Sequence, residues 1–218
     1  MTERLSVFSN YDNKIKVVYA MSELMETIPF EKLTIAEICE AAGLSRATFY
    51  RYFDDKYSVA QWHCDYVSEK GSNQIGRTLS WHQGYYASEA RFAEMDEFYR
   101  NVGKTGNYNA LDVYALRARE TALIETITEY YHVKMTSKLL FQVEAVVNCE
   151  VSMLPRWHYG KVDATLEEVC DWMVSMVPDN LFEMLNTPIE PHAIHFDPSD
   201  GPIHLDKRQQ PPHRHHSS

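Results

Sequence analysis

Glycine is scarce, 8 in 218 residues. So few glycines leave little room for the loops that cradle phosphates in nucleotide-using enzymes, and they favour helices. The four cysteines, Cys39, Cys64, Cys149 and Cys170, include no C-x-x-C pair, so zinc-ribbon and thioredoxin-type sites are excluded. Three of them, Cys39, Cys149 and Cys170, lie among apolar helical positions and read as small buried hydrophobes. No apolar run reaches the roughly 18 residues of a membrane span, and the first residues hold no apolar core of signal-peptide length. With unpaired thiols, these absences predict a cytoplasmic protein without a membrane partner. Positive charge is also in deficit, with a net charge of −10. A nonspecific nucleic-acid coat is thereby excluded, though a local basic face is not. G-x-S-x-G, H-E-x-x-H and Walker signatures are absent, so no enzyme, cofactor or metal is expected.

What is present is helical punctuation. Hydrophobic residues make up 44% and charged residues 24%, an ordinary globular balance. A first helix is predicted from after Asn10 to Met25, with Ile15, Val18, Ser22 and Met25 on one face and Tyr19 beside them. Pro29 forbids its continuation. Thr34 and Glu37 have the spacing of a capping box, Gly43 ends the short helix that follows, and Ser45 caps the next, which runs from Arg46 to Phe53. This is helix, tight turn, helix, a geometry that places a short helix in a DNA major groove. On the third helix Phe49 and Phe53 point together. Arg46, Ala47, Tyr50 and Arg51 point the opposite way. Arginine reads guanine and a small residue lets the backbone approach the bases. By helical geometry alone, a solvated hairpin face is an equal alternative.

The segment from Leu33 to Lys56 closely resembles the DNA-binding domain of TetR-family transcriptional regulators. Thr34, Ile38, Ala42, Gly43, Ser45, Thr48, Phe49, Tyr50, Tyr52, Phe53 and Lys56 fit its pattern, while Cys39 and Val59 depart from the usual alanine and leucine. The resemblance covers about residues 11–66. It implies phosphate contacts from Thr34, Ser45, Tyr50, Tyr52 and Lys56. It also implies a base contact from Arg46, with Ala47 and Thr48 close to bases or backbone and Arg51 on phosphate or base. Across residues 34–56 the acids Glu37, Glu40, Asp54 and Asp55 outnumber the cations Arg46, Arg51 and Lys56. A weak electrostatic term follows.

An all-α protein of about nine helices is expected, with a DNA-binding domain at 1–66, a ligand-binding and dimerisation domain at 67–187 and a mobile tail at 188–218. Six of the nine prolines and six of the ten histidines fall in that tail, which has no helical or strand period. Its histidines read as solvated, not as a metal site. Helical patterns span 56–83, 87–102, 110–131, 138–154 and 165–185. Pro155 is expected to end the fourth of these and Pro178 to break the last. Thr165 and Glu168 repeat the capping-box spacing. The helices at 138–154 and 165–185 are apolar nearly all round, and the family resemblance implies that they pair with a partner's copies as a four-helix bundle. Residues 154–177 resemble the dihydroxyacetone-kinase-regulator-like branch. The resemblance further implies a pocket for an unknown small-molecule effector among Trp81, Tyr85, Phe92, Phe98, Tyr99 and Tyr114, although aromatics at helical spacing are more often plain core. Arg117, Arg119 and Glu120 read as a solvated face. The function implied is a repressor that binds a palindromic operator in double-stranded DNA as a homodimer. An adaptor that kept the fold without its own operator is the alternative.

Overall fold

The computed structural model describes residues 2–103 and 108–190. They form ten α-helices: α1 (Thr2–Met25), α2 (Ile35–Ala42), α3 (Arg46–Tyr52), α4 (Lys56–Glu69), α5 (Trp81–Glu94), α6 (Asp96–Gly103), α7 (Tyr108–Glu125), α8 (Ser137–His158), α9 (Leu166–Ser175) and α10 (Asp179–Leu185). Short 3-10 turns stand at Phe30–Lys32 and Ser72–Gln74, and a π turn at Thr126–Tyr130 follows α7. No strand occurs among the described residues. The protein is all-α, as its residue pattern predicts. The chain divides into two units, one from the described residues of Met1–Cys64 and Met95–Leu111, the other from Asp65–Glu94 and the described residues from Asp112 onward.

The N-terminal unit is built around α1. That helix begins at Thr2 and not after Asn10, since no proline or glycine interrupts residues 2–10. Its buried face is Val17, Val18, Met21 and Met25. Tyr19 is exposed, and Ile15 and Ser22 are only half-buried, so the face is turned from the expected one. Phe30, Leu33, Ile38, Phe49, Phe53 and Val59 join it in one apolar cluster, which also takes in Met95, Phe98 and Val102. These last side chains draw α6 into the N-terminal unit, although the sequence assigned 95–111 to the second domain. Asn101 also donates to the carbonyl of Met25 at 3.3 Å.

The C-terminal unit surrounds α5, whose Trp81, Tyr85, Ala87, Ala90 and Arg91 are all buried. The single helical pattern expected at 56–83 is broken between α4 and α5. Gly71 packs so tightly on α5 that a Cβ there would lie 2.3 Å from the Ser88 hydroxyl oxygen. That hydroxyl accepts the Ser72 amide at 2.7 Å. Helix α8 passes through Pro155 to His158 instead of stopping there. One ladder bond is forfeited, and the added turn buries Trp157, whose indole N–H donates to the Ala164 carbonyl at 2.8 Å. Thr165 and Glu168 do form a capping box, and α9 ends before Pro178, which caps α10. The tail predicted from 188 begins with three described residues: the Ile189 and Glu190 amides donate to the Gly76 and Arg77 carbonyls at 3.2 and 2.9 Å. The rest, with its six histidines, lies outside the described residues.

Ionic groups run through this core. The buried Glu150 carboxylate accepts from Tyr85 Oη at 2.8 Å and from Arg119 Nε and Nη2 at 2.9 and 3.3 Å. Arg119, expected on a solvated face, is buried, whereas Arg117 is exposed. The periodicity of α7 could not show this, because a guanidinium satisfied by a carboxylate is tolerated where a lone one is not. Glu150→Ala strands that guanidinium, and the expected cost is about 3–5 kcal/mol. Urea denaturation should show it. Arg119→Met combined with Glu150→Leu should restore most of the loss, which would remain if the ion pair's own attraction, and not the stranding of one charge, were the source of the stability.

Candidate nucleic-acid interface

The turn between α2 and α3 is fixed by local chemistry. Thr34 caps α2 in a complete capping box: its amide and hydroxyl donate to Glu37 Oε2 at 2.8 and 2.6 Å, and its Oγ1 accepts the Glu37 amide at 3.3 Å. These bonds hold the Glu37 carboxyl below its ordinary range. Gly43 takes the left-handed conformation, φ 64° and ψ 33°, and the Leu44 amide donates back to the Cys39 carbonyl at 2.9 Å. Ser45 Oγ accepts the Thr48 amide at 3.0 Å and starts α3.

Phe49 and Phe53 are buried, and that orients the rest of α3. Arg46, Ala47, Tyr50 and Arg51 lie exposed, as do Thr34 and Ser45, while Thr48 and Tyr52 are half-buried. The face therefore carries the residue types expected of it. Arg51 is folded onto its neighbour: Nη2 donates to Tyr52 Oη at 2.9 Å and the guanidinium lies 4.9 Å from that ring's centre. Asn13 of α1 donates to the same oxygen at 3.4 Å. The Asn13 bond first, and then Arg51, lower the phenol's pKa. Lys14 of α1 lies over the Phe53 and Trp62 rings at 5.8 and 5.1 Å. Asn13 and Lys14 escape a reading confined to the helix-turn-helix, and the only sequence signal for them is a polar pair within the apolar period of α1.

Two of the four acids in 34–56 are tied to helix starts. Glu37 serves Thr34, and the Asp55 carboxylate accepts the Ser58 amide at 2.7 Å. Lys56 is placed differently from the phosphate ligand that resemblance implies. Its ammonium donates to the carbonyls of Phe30, Leu33 and Glu31 at 2.6, 2.9 and 3.1 Å and lies 4.8 Å from the Phe30 ring centre. Desolvation lowers its pKa.

The six aromatic residues expected to line an effector pocket divide between the two units. Phe98 and Tyr99 belong to the N-terminal unit, where Phe98 is core. Trp81, Tyr85, Phe92 and Tyr114 belong to the C-terminal unit. Trp81 and Tyr85 are fully enclosed, with the Trp81 indole donating to the Leu181 carbonyl at 3.4 Å. Phe92 is half-buried, and Tyr114 donates to Asp65. Among the described residues no three His, Cys, Asp or Glu side chains gather as a metal site requires. His63 instead lies in the core, Nδ1 at 2.7 Å from Tyr99 Oη.

A short helix held by aromatic packing, its cationic and phenolic face outward beside a tight left-handed turn, is a helix-turn-helix DNA-binding domain. Residues 20–61 match the family model described as "Bacterial regulatory proteins, tetR family", so this is a helix-turn-helix of the TetR family. Among solved structures, the chain is similar to the "Dihydroxyacetone kinase operon activator DhaS", with a TM-score of 0.58 and 13% identity over 80% of this chain and 98% of that one. At that identity the likeness is one of fold. It extends the agreement in fold beyond the N-terminal domain. No curated protein matches the sequence significantly. No helix among the described residues is long and apolar enough to cross a membrane.

Burial pushes the His63 pKa down to about 4, against roughly 6.5 in the unfolded chain. The folded state thus holds His63 neutral while the unfolded state binds the proton. Stability from this group is full above pH 6.5 and falls as the pH drops toward 4, by up to about 3 kcal/mol. Chemical denaturation at pH 7 and pH 4.5 should show a smaller pH-dependent loss in His63→Phe than in the wild-type chain. Equal losses would mean that His63 does not titrate with unfolding.

Proposed function

We propose that this protein is a cytoplasmic, non-enzymatic transcriptional regulator that binds a palindromic DNA operator as a homodimer. The observation that carries the reading is the outward face of α3, where Arg46, Ala47, Tyr50 and Arg51 stand exposed over buried Phe49 and Phe53. Thr34, Ser45, Thr48 and Tyr52 border that face and are assigned to the DNA backbone. Binding through α3 is favoured over the adaptor reading because the guanidinium-bearing side chains Arg46 and Arg51 both stand exposed on that face. Repression is carried over from the family. The structural neighbour's name makes that protein an activator, so transcription from the bound promoter decides the direction.

Dimerisation is supported by the surface of α8 and α9. Phe141 is 71% exposed, Met176 63%, Trp172 48% and Met153 41%. Large apolar side chains grouped on adjacent helices are the usual mark of an association surface. Release of the operator by an apolar or amphipathic small molecule is likewise proposed from the resemblance.

Two outcomes are expected. Selection from a random duplex pool should return a palindrome. On it, Arg46→Ala should cost about 1–3 kcal/mol per half-site and relax preference at one base position, read by fluorescence anisotropy on single-base variants. An equal loss on all sequences would remove Arg46 from base reading. In light scattering at micromolar concentration the wild type should be a dimer, and Phe141→Lys with Met176→Lys a monomer that binds the palindrome more weakly. A monomeric wild type would refute the dimer.

A further inference from the structure

A lysine ammonium on a DNA-facing domain is ordinarily spent on phosphate. That of Lys56 is spent inside the protein. It has three protons and three acceptors, the carbonyls of Phe30, Glu31 and Leu33. These carbonyls come from the 3-10 turn Phe30–Lys32 and the residue after it, and that of Phe30 also accepts the Leu33 amide at 3.2 Å. The Phe30 ring closes the site from another side, and Tyr57 packs edge-on against that ring at 4.9 Å.

The position of these groups along the chain gives the site its meaning. Leu33 immediately precedes Thr34, the cap of α2. Lys56 is the first residue of α4, reached three residues after Phe53, which closes α3. One ammonium thus joins the start of the α2–α3 segment to its finish. Asp55 fixes the same finish from the other side: its amide donates to Ser58 Oγ at 3.2 Å and its carboxylate accepts the Ser58 amide. The glycine turn and Ser45 shape the segment internally, and the Phe30–Tyr57 ring contact is a second, apolar tie between its two ends.

We propose that Lys56 is a positioning residue that sets the angle of the reading helix by binding the carbonyls at the start of α2, and that it is not a phosphate ligand. This rests on the DNA-binding reading above and deepens it. Arginine provides the discriminating substitution. It keeps the charge and meets phosphate at least as well as lysine, but its planar fork cannot converge three donors from one nitrogen.

The test uses full-length wild type, Lys56→Met and Lys56→Arg, each confirmed folded by circular dichroism well below its melting temperature. Affinity is measured for the duplex that the wild type selects from a random pool, and for a scrambled duplex, across a salt series. Both variants should lower the selected-to-scrambled affinity ratio by about tenfold, on the order of one misread base pair, with the salt slope unchanged. If Lys56→Met instead shortens the slope by about one per protomer and Lys56→Arg restores wild-type binding, Lys56 is a phosphate ligand and the proposal is overturned. It is also overturned if neither variant changes the ratio. Should Lys56→Met not fold, Lys56→Arg alone decides. If the wild type selects no duplex, the functional reading fails separately. Amide exchange at Lys32 and Leu33 then judges Lys56: acceleration in both variants supports the positioning role and unchanged exchange overturns it.

Discussion

A helix of seven residues has almost no stability of its own in water, since nucleation alone outweighs the few hydrogen bonds it makes. Helix α3 is that short, and it persists because Phe49 and Phe53 are buried against α1, α2 and α4 residues in one apolar cluster. Everything about the outward surface of α3 follows from this constraint. Burying two aromatics on one side dictates which side chains remain outside, and the outward set is two arginines, a tyrosine and an alanine. The tight caps on either side of Gly43 then leave α3 little freedom to rotate about that anchor.

The C-terminal unit solves a different problem. Its central helix α5 is covered on nearly all sides, yet it carries Glu89 and Arg91 as well as Trp81 and Tyr85. Charges in such a place are tolerable only when matched. Glu89 is matched by His158 at 2.8 Å, and Arg91 donates to the Ala87 carbonyl at 3.0 Å. Glu150 gathers Tyr85 and Arg119. These pairs tie α5, α7 and α8 in one relative register, which purely apolar packing specifies less sharply.

What could be read from the sequence was mostly short-range. The capping boxes at Thr34 and Thr165, the left-handed Gly43, the Ser45 cap and the break at Pro178 all depend on residues within a few positions of each other. The structure has each of them where the residues imply. The outward face of α3 was equally legible, because one helical period and two phenylalanines define it. What was not legible depended on distant partners. The face of α1 is set by what packs on it, and α6 is drawn to the N-terminal unit by Phe98 and Val102. Arg119 is internal because Glu150 lies thirty-one positions on, and Lys56 turns inward to carbonyls more than twenty positions earlier. Spacing along the chain carries no trace of such pairings. The aromatic residues of the middle region illustrate the same limit, since the resemblance implies one lining for them while their division between two units depends on distant packing.

The pairing of Ile189 and Glu190 with Gly76 and Arg77 fixes how the chain leaves α10. Tyr131 reinforces it, its hydroxyl lying 2.8 Å from the Gly76 carbonyl and 3.1 Å from that of Thr187. The described residues therefore finish in a two-residue ladder instead of a frayed helix. A reporter or affinity label grafted after Glu190 would inherit a defined point of departure, whereas one grafted at Thr187 would cut through the strap. The same junction sets a natural limit on how far evolution could shorten the chain without opening the loop at Gly76.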